Sequence, residues 1–183
     1  MTALDESPAA ETRTSTTRRR LAVAAGAAAV AAVDLSAKAW AQTSVDAPIP
    51  LGPIDLRLAY NPGVAFSVGA GAPIWVVIAA TATITVAVAI VAWRAAAAPA
   101  RLRLTALALV LGGATANLVD RARDGVVTDY LHSGWFPTFN LADTAIVTGA
   151  GLLLLATARH RTPDADVVAG DGPEPSMNGG EVR

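Results

Sequence analysis

Four aspartates lie in, or at the edges of, one connection between two long apolar runs. The runs cover residues 102–119 and 141–158, and the acids are Asp120, Asp124, Asp129 and Asp143. Each run is long and apolar enough to cross a bilayer, so carboxylates this close to hydrocarbon need partners or a function. Two carboxylates held close together cannot both ionise easily, and such a pair can supply one acid and one base. The stretch therefore indicates acid–base chemistry at the edge of a membrane.

Asp129 and Asp143 are the two acids that we expect to meet. On one continuous helix their spacing would separate them by about 21 Å. The segment 132–137 between them contains glycine, proline and an aromatic pair suited to the membrane interface, so the backbone can fold back. Asp129 follows Val-Val-Thr in a short extended or buried segment and has no evident role in helix capping. A buried carboxylate without a structural role is a functional candidate.

Structural roles compete for the other acids. Asn140 and Asp143 form a helix-start pattern, an N-cap followed by a carboxylate at N3, so local sequence leaves both capping and catalysis open for Asp143. Asp120 can pair with Arg121 at the membrane edge, and Asp124 before a glycine indicates a turn. A serine mechanism is disfavoured, because the adjacent histidine and serine at 132–133 point to different sides and no G-x-S-x-G motif is present.

The composition is typical of a small integral membrane protein. Of the 183 residues, 53% are hydrophobic and 16% are charged, whereas soluble domains carry about 25% charged residues. The absence of cysteine excludes disulfides, thiolate metal sites and a cysteine nucleophile, and two histidines disfavour a zinc site. No basic, aromatic-interleaved surface suggests a nucleic-acid partner. We therefore expect neither a metal nor a bound cofactor.

The charge pattern divides the chain into a membrane domain and two tails. We expect disordered cytoplasmic tails at 1–20 and 159–183, and a four-span domain at 21–158. The spans are a first helix from Leu21 to about Trp40, then residues 73–93, 102–119 and 141–158. Between the first two spans, the alternation of residues 54–60 predicts a strand, and Asn-Pro-Gly at 61–63 predicts a turn. We interpret this connection as a small extramembrane sheet or cradle, with a plain connector as the alternative.

The first apolar segment admits two interpretations. It can be an export signal, with a small-x-small cleavage site at residues 39–41. It can also be a retained helix in which Asp34 and Lys38, four residues apart, share one face and neutralise each other. The positive-inside rule favours the retained helix, because four spans place one set of arginines on the same side: 18–20, 94, 101, 103, 159 and 161. Both termini are then cytoplasmic, and the candidate chemistry lies near the extracytoplasmic face.

Five motifs in this order resemble the bacterial lipoprotein signal peptidases (signal peptidase II). The resemblance covers about residues 20–158. The motifs are Asp34-x-x-x-Lys38, Asn61-Pro-Gly-Val-Ala-Phe66-Ser67, Gly112-Gly-Ala-x-x-Asn117-x-x-Asp120-Arg121, Gly125-Val-Val-x-Asp129-Tyr130 and Phe139-Asn140-Leu-Ala-Asp143.

The resemblance implies an intramembrane aspartic endopeptidase of the bacterial cytoplasmic membrane. Such an enzyme removes signal peptides from diacylglyceryl-modified prolipoproteins, cuts before the lipidated cysteine and is sensitive to globomycin. The implied fold is an all-α membrane protein, with four transmembrane helices and a small extracytoplasmic β-cradle. The implied partners are lipid-modified prolipoprotein signal peptides and membrane lipids, and we expect a monomer. A small transporter or proton-relay protein that uses the same carboxylates is the alternative, and a non-catalytic scaffold is a third possibility.

The resemblance also implies roles for single residues. Asp129 and Asp143 match the catalytic pair, and Asp143, near a helix N-terminus, is the expected ionised member. Supporting positions match Asn61, Asn117, Asp120, Arg121 and Asn140, together with Asp34 and Lys38 of the first helix. Two features depart from the family pattern: Ala116, where many relatives have glycine, and the short connection between the two catalytic aspartates.

Overall fold

The structure of the chain, a computed structural model, describes residues 8–63, 71 and 73–160. Its elements, in chain order, are α1 (Pro8–Ser44), β1 (Ile49–Pro50), β2 (Asp55–Asn61), α2 (Ile74–Ala95), α3 (Arg101–Asp124), β3 (Val127–His132) and α4 (Leu141–His160). Four helices are long and apolar enough to cross a membrane. The predicted fold class, four spans with a small sheet, is therefore confirmed.

Helix α3 lies at the centre of the bundle and packs against α4, α1 and α2. The close approach of these helices depends on glycines. A Cβ on Gly112 of α3 would lie 2.6 Å from the carbonyl oxygen of Ala27 on α1. A Cβ on Gly149 of α4 would lie 2.7 Å from the carbonyl oxygen of Ala106 on α3. Both distances are too short for a real side chain, so these helices meet backbone to backbone.

The three strands form an antiparallel sheet in the order β1-β2-β3. Strand β2 confirms the strand predicted over residues 54–60, and it places Ala59 opposite Asp129 of β3. After β3 the chain turns at Gly134, whose φ of 83° is in the left-handed region. It then returns to pair Phe139 with Leu131. This is the predicted fold-back, and it brings the start of α4 beside β3.

The prediction of a disordered tail over residues 1–20 is wrong for residues 8–20, because α1 begins at Pro8. Two arginines hold this part of the helix against the end of α2. Arg19 donates from Nε to the carbonyl oxygen of Ala96 at 2.7 Å and from Nη2 to that of Ala97 at 3.1 Å. The guanidinium of Arg20 lies 4.0 Å from the centre of the Trp93 ring. Such contacts are long-range, so local composition does not reveal them.

Two other predictions concern the turn at Asp124 and the C-terminal tail. Asp124 is the last residue of α3, and Gly125, with φ of 74°, adopts the left-handed conformation that ends the helix. The turn therefore follows Asp124, as its Asp-Gly pair predicted. Phe66, Ser67 and the predicted tail from residue 161 onward lie outside the described residues.

Candidate active site

The fold brings Asp129 and Asp143 into one buried polar cluster, although they belong to different elements. Asp129 lies on β3 and is 3% exposed, whereas Asp143 lies in the first turn of α4. Asn140, just before α4, donates from Nδ2 to Asp129 Oδ1 at 2.7 Å. Asn117 of α3 donates from Nδ2 to Asp143 Oδ1 at 2.8 Å. Each aspartate thus accepts a hydrogen bond from an asparagine side-chain amide.

The capping interpretation of Asp143 is also confirmed. Asn140 Oδ1 accepts a hydrogen bond from the backbone N–H of Asp143 at 2.8 Å. In return, Asp143 Oδ2 accepts one from the backbone N–H of Asn140 at 3.3 Å. This reciprocal arrangement is a capping box, and it satisfies two N–H groups at the start of α4. One carboxylate therefore caps the helix with Oδ2 and contacts Asn117 with Oδ1.

Lys38 on α1 contacts three polar side chains of the cluster. It is 2% exposed, and its Nζ lies 2.9 Å from Asp34 Oδ2 and 3.4 Å from Asp120 Oδ2. Nζ also donates to Asn117 Oδ1 at 2.7 Å. An ammonium has only donors, so it fixes the amide oxygen of Asn117 towards itself and the amide nitrogen towards Asp143.

The two acids paired with Lys38 support the neighbouring elements. Asp34, which is fully buried, accepts a hydrogen bond at Oδ1 from the backbone N–H of Ala142 in α4 at 2.8 Å. Asp120 accepts one at Oδ2 from the backbone N–H of Thr128 in β3 at 2.7 Å. The predicted pair of Asp34 with Lys38 is confirmed. The pairing predicted between Asp120 and Arg121 is wrong, because the Asp120 carboxylate contacts Lys38 of α1 and the backbone of β3 instead.

Arg121 instead holds the turn that follows β2. It is buried, and its Nη2 donates to the carbonyl oxygen of Gly63. Asn61 closes the same turn, because its Oδ1 accepts a hydrogen bond from the backbone N–H of Gly63 at 3.0 Å. The predicted turn at 61–63 is confirmed, and two of the supporting residues predicted from the sequence meet there.

Burial changes the pKa of Asp129, the aspartate on β3. Burial, followed by the nearby charge of Asp143, raises the pKa of Asp129 to about 7 from its ordinary 3.8. Hydrogen bonds from Asn140 and Asn61 and the charge of Lys38 act in the opposite direction. Asp129 can therefore carry a proton near neutral pH. Among the described residues, no group of three His, Cys, Asp or Glu side chains is placed to hold a metal ion.

Sequence reasoning missed one contact in the cluster. Gln42 of α1 donates from Nε2 to Thr128 Oγ1 at 2.9 Å, beside Asp129 on β3. The spacing of α1 contained the signal, because Asp34, Lys38 and Gln42 follow one another at intervals of four and share one helix face.

A family model described as signal peptidase (SPase) II matches residues 26–159 of the chain. A lipoprotein signal peptidase of Rhodococcus jostii is 36% identical over 117 residues, which cover 61% of this chain and 57% of that protein. One of Shewanella loihica is 47% identical over 66 residues, covering 33% of this chain and 39% of that protein. The matched segments thus span less than two thirds of these relatives.

Two solved structures resemble the fold. Both are described as bacterial membrane enzymes determined by the in meso method. One, at 2.3 Å resolution, has a TM-score of 0.66 and 21% identity, and the match covers 84% of this chain and 94% of the other. The second, at 1.9 Å, has a TM-score of 0.65 and 22% identity, with 74% and 92% covered. At these identities the likeness concerns the fold alone.

Proposed function

The chain belongs to the signal peptidase II family, and from this membership we propose that it cleaves signal peptides from lipid-modified prolipoproteins with Asp129 and Asp143 as an aspartic pair. One observation carries the catalytic assignment. The buried Asp129 and the half-buried Asp143 belong to different elements and are joined through Asn140. Asn140 donates from Nδ2 and its backbone N–H to the two carboxylates, and its Oδ1 accepts from the backbone N–H of Asp143. Capping accounts for the contacts between Asn140 and Asp143, but Asp129 lies on a strand and caps no helix, and a buried carboxylate without a structural role is a functional candidate.

Hydrogen-bond donors support a division of roles between the two acids. Both oxygens of Asp143 accept hydrogen bonds, from Asn117 Nδ2 and from the Asn140 N–H, which suits an ionised carboxylate. Asp129, with its pKa near 7, is then the protonated member. The pair holds one proton, and Asp143 acts as the base.

Peptide hydrolysis follows from this proton placement. Asp143 removes a proton from water while the water oxygen forms a bond to the scissile carbonyl carbon. Asp129 gives its proton to the carbonyl oxygen, which stabilises the tetrahedral intermediate. When the C–N bond breaks, the leaving amine takes a proton from Asp143, and a hydroxyl group of the intermediate returns a proton to Asp129 as the carbonyl of the new acid forms. Every proton transfer is made by the aspartate pair and the attacking water.

The position of the site suits a substrate that stays in the membrane. The cluster lies where α3 ends and α4 begins, and the arginines at the ends of the spans favour a cytoplasmic position for the opposite end of the bundle. We place both termini in the cytoplasm and the aspartate pair near the extracytoplasmic face. A lipid-anchored substrate would present its signal helix sideways, and cleavage would fall before the lipidated cysteine.

A matched pair of substrates tests the proposal. The purified protein is incubated with a synthetic prolipoprotein peptide that carries a diacylglyceryl cysteine, and with the same peptide without the lipid. We expect cleavage of the lipidated peptide only, with the lipidated cysteine as the new N-terminus by mass spectrometry. Equal cleavage of both peptides would contradict the substrate assignment. Proton flux across vesicles without any cleavage would favour the proton-relay alternative.

A further inference from the structure

A polar recess lies on α1 at the end of the bundle opposite the aspartates. It is an open recess of about 290 Å³, lined by hydroxyl and guanidinium side chains of one helix, from Thr12, Arg13, Thr16, Thr17 and Arg20. Arg13, Thr16, Thr17 and Arg20 recur at the helical spacings of three and four, so they share one face. These lining residues include no carboxylate. The recess therefore offers positive charge and hydrogen-bond donors to an anion.

The recess is built on a fixed part of the fold. The neighbouring Arg19 donates to the carbonyl oxygens of Ala96 and Ala97 just beyond α2, and also to Thr16 Oγ1 at 3.0 Å. Arg20 rests on the Trp93 ring. Within the described part of the chain, the buried Nε of Arg20 has no hydrogen-bond partner. The Arg20 side chain as a whole is only half-buried, so its guanidinium can still present its charge to an anion in the recess.

The position of the recess identifies the class of anion. The apolar part of α1 begins at Leu21, directly after Arg20, so the recess lies where α1 leaves the hydrocarbon. Trp93 is exposed there, at the level where aromatic rings meet lipid headgroups. Arg94, Arg101 and Arg103 belong to the adjoining ends of α2 and α3. Phosphate groups of anionic lipids are concentrated at this level.

We propose that the Arg13–Arg20 recess binds the phosphate of an anionic phospholipid headgroup. At about 290 Å³ the open recess is just smaller than the usual ligand pocket of about 300–1,000 Å³, which suits a headgroup whose acyl chains run along the exposed apolar surface of α1. The guanidinium groups of Arg13 and Arg20 contact the phosphate oxygens, and the Thr16 hydroxyl, which accepts a hydrogen bond from Arg19, supplies a further donor. The bound lipid would hold the cytoplasmic extension of α1 at the membrane.

Lipid binding to the full chain in detergent micelles tests this site by native mass spectrometry. The probes are phosphatidylglycerol and phosphatidylcholine with the same acyl chains. We expect phosphatidylglycerol to bind more tightly, and Arg13→Gln and Arg20→Gln each to weaken its binding about fivefold, which corresponds to about 1 kcal/mol per arginine. Arg18→Gln is the matched control, because Arg18 is exposed on α1, lies outside the recess and carries the same charge.

Three results would overturn the proposal. Equal binding of the two lipids would mean that the headgroup charge is not recognised. An equal loss in Arg18→Gln and Arg13→Gln would mean general attraction to basic residues and no defined site. Displacement of phosphatidylglycerol by an equal concentration of inorganic phosphate would make free phosphate the ligand. Arg13 is exposed and lies about two helical turns before Arg20, so Arg13→Gln keeps the test valid even if Arg20→Gln folds poorly.

Discussion

Replacing Lys38 by methionine tests whether one buried cation holds the polar cluster together. Lys38 is the only lysine of the chain, and it lies 2.9 Å from Asp34, 3.4 Å from Asp120 and 2.7 Å from Asn117. Methionine keeps the unbranched apolar stem but removes the charge and its three donors. The substitution therefore changes the electrostatics of the cluster with little change in packing volume.

The loss of stability follows from the two carboxylates that remain. Without Lys38, Asp34 and Asp120 stay buried and lose their cation, and Asn117 loses the donor that orients its amide. Removing one partner of a buried ion pair costs about 3–5 kcal/mol. Whole proteins are stable by only about 5–15 kcal/mol. We therefore expect Lys38→Met to lower the free energy of unfolding by about 3–5 kcal/mol.

Denaturant titration of the purified protein in micelles, followed by tryptophan fluorescence, measures this change. The double variant Asp34→Asn/Lys38→Met removes a negative and a positive charge together, so we expect it to regain part of the loss. Arg57→Met is the matched control, because Arg57 is exposed on β2 and its replacement should stay within about 0.5 kcal/mol of the wild type. A Lys38→Met protein within about 1 kcal/mol of the wild type would refute the reasoning.

Four further predictions concern acid–base chemistry, packing and the turn after β2. If protonated Asp129 is the acid, the rate of cleavage should fall about tenfold per pH unit above about pH 7, and a flat profile there would contradict the assignment. Folding raises the pKa of Asp129, so the contribution of its protonation to the free energy of unfolding is fully present below pH 3.8 and is lost as the pH rises through about 7. Denaturant titrations at different pH values measure this dependence, and Asp129→Asn should remove it. Gly149→Ala should lower the free energy of unfolding by about 1–3 kcal/mol. Gly151→Ala should not lower it, because a Cβ added there meets nothing within 4 Å. Equal losses of stability in the two variants would refute the close packing of α3 and α4. Arg121→Lys should lower kcat/KM about tenfold or more, because it loses a charge-assisted hydrogen bond to the turn. Arg123→Lys is the control, because Arg123 is exposed and its replacement should leave kcat/KM unchanged. Equal kcat/KM values for the two variants would exclude a role for the turn.

Local patterns predicted most of the fold because each describes a feature that neighbouring residues determine. The apolar runs became α2, α3, α4 and the central part of α1, and the alternation over 54–60 became β2. The glycine and proline between Asp129 and Asp143 predicted the fold-back of the chain. These features depend on hydropathy, periodicity and turn chemistry, which can be read directly from the sequence.

Long-range contacts explain what the sequence did not reveal. Residues 8–20 are helical, and within them Arg19 contacts residues 77 and 78 positions away in the chain. The partner of Asp120 is Lys38, from another helix, and its sequence neighbour Arg121 turns to Gly63 instead. For Asp143, catalysis and capping looked like alternatives, but its two oxygens have different partners. When a side chain has several possible partners in the sequence, only the tertiary structure shows which of them it contacts.

Cleavage by single aspartate variants tests the proposed active site most directly. The measurement is the rate of processing of the lipidated prolipoprotein peptide by wild type, Asp129→Asn, Asp143→Asn and Asp124→Asn, each first checked for folding. Asp124→Asn is the matched control, because Asp124 is exposed at the end of α3. We predict that Asp129→Asn and Asp143→Asn abolish cleavage while Asp124→Asn retains most of it. Normal cleavage by either of the first two variants would contradict the aspartic pair.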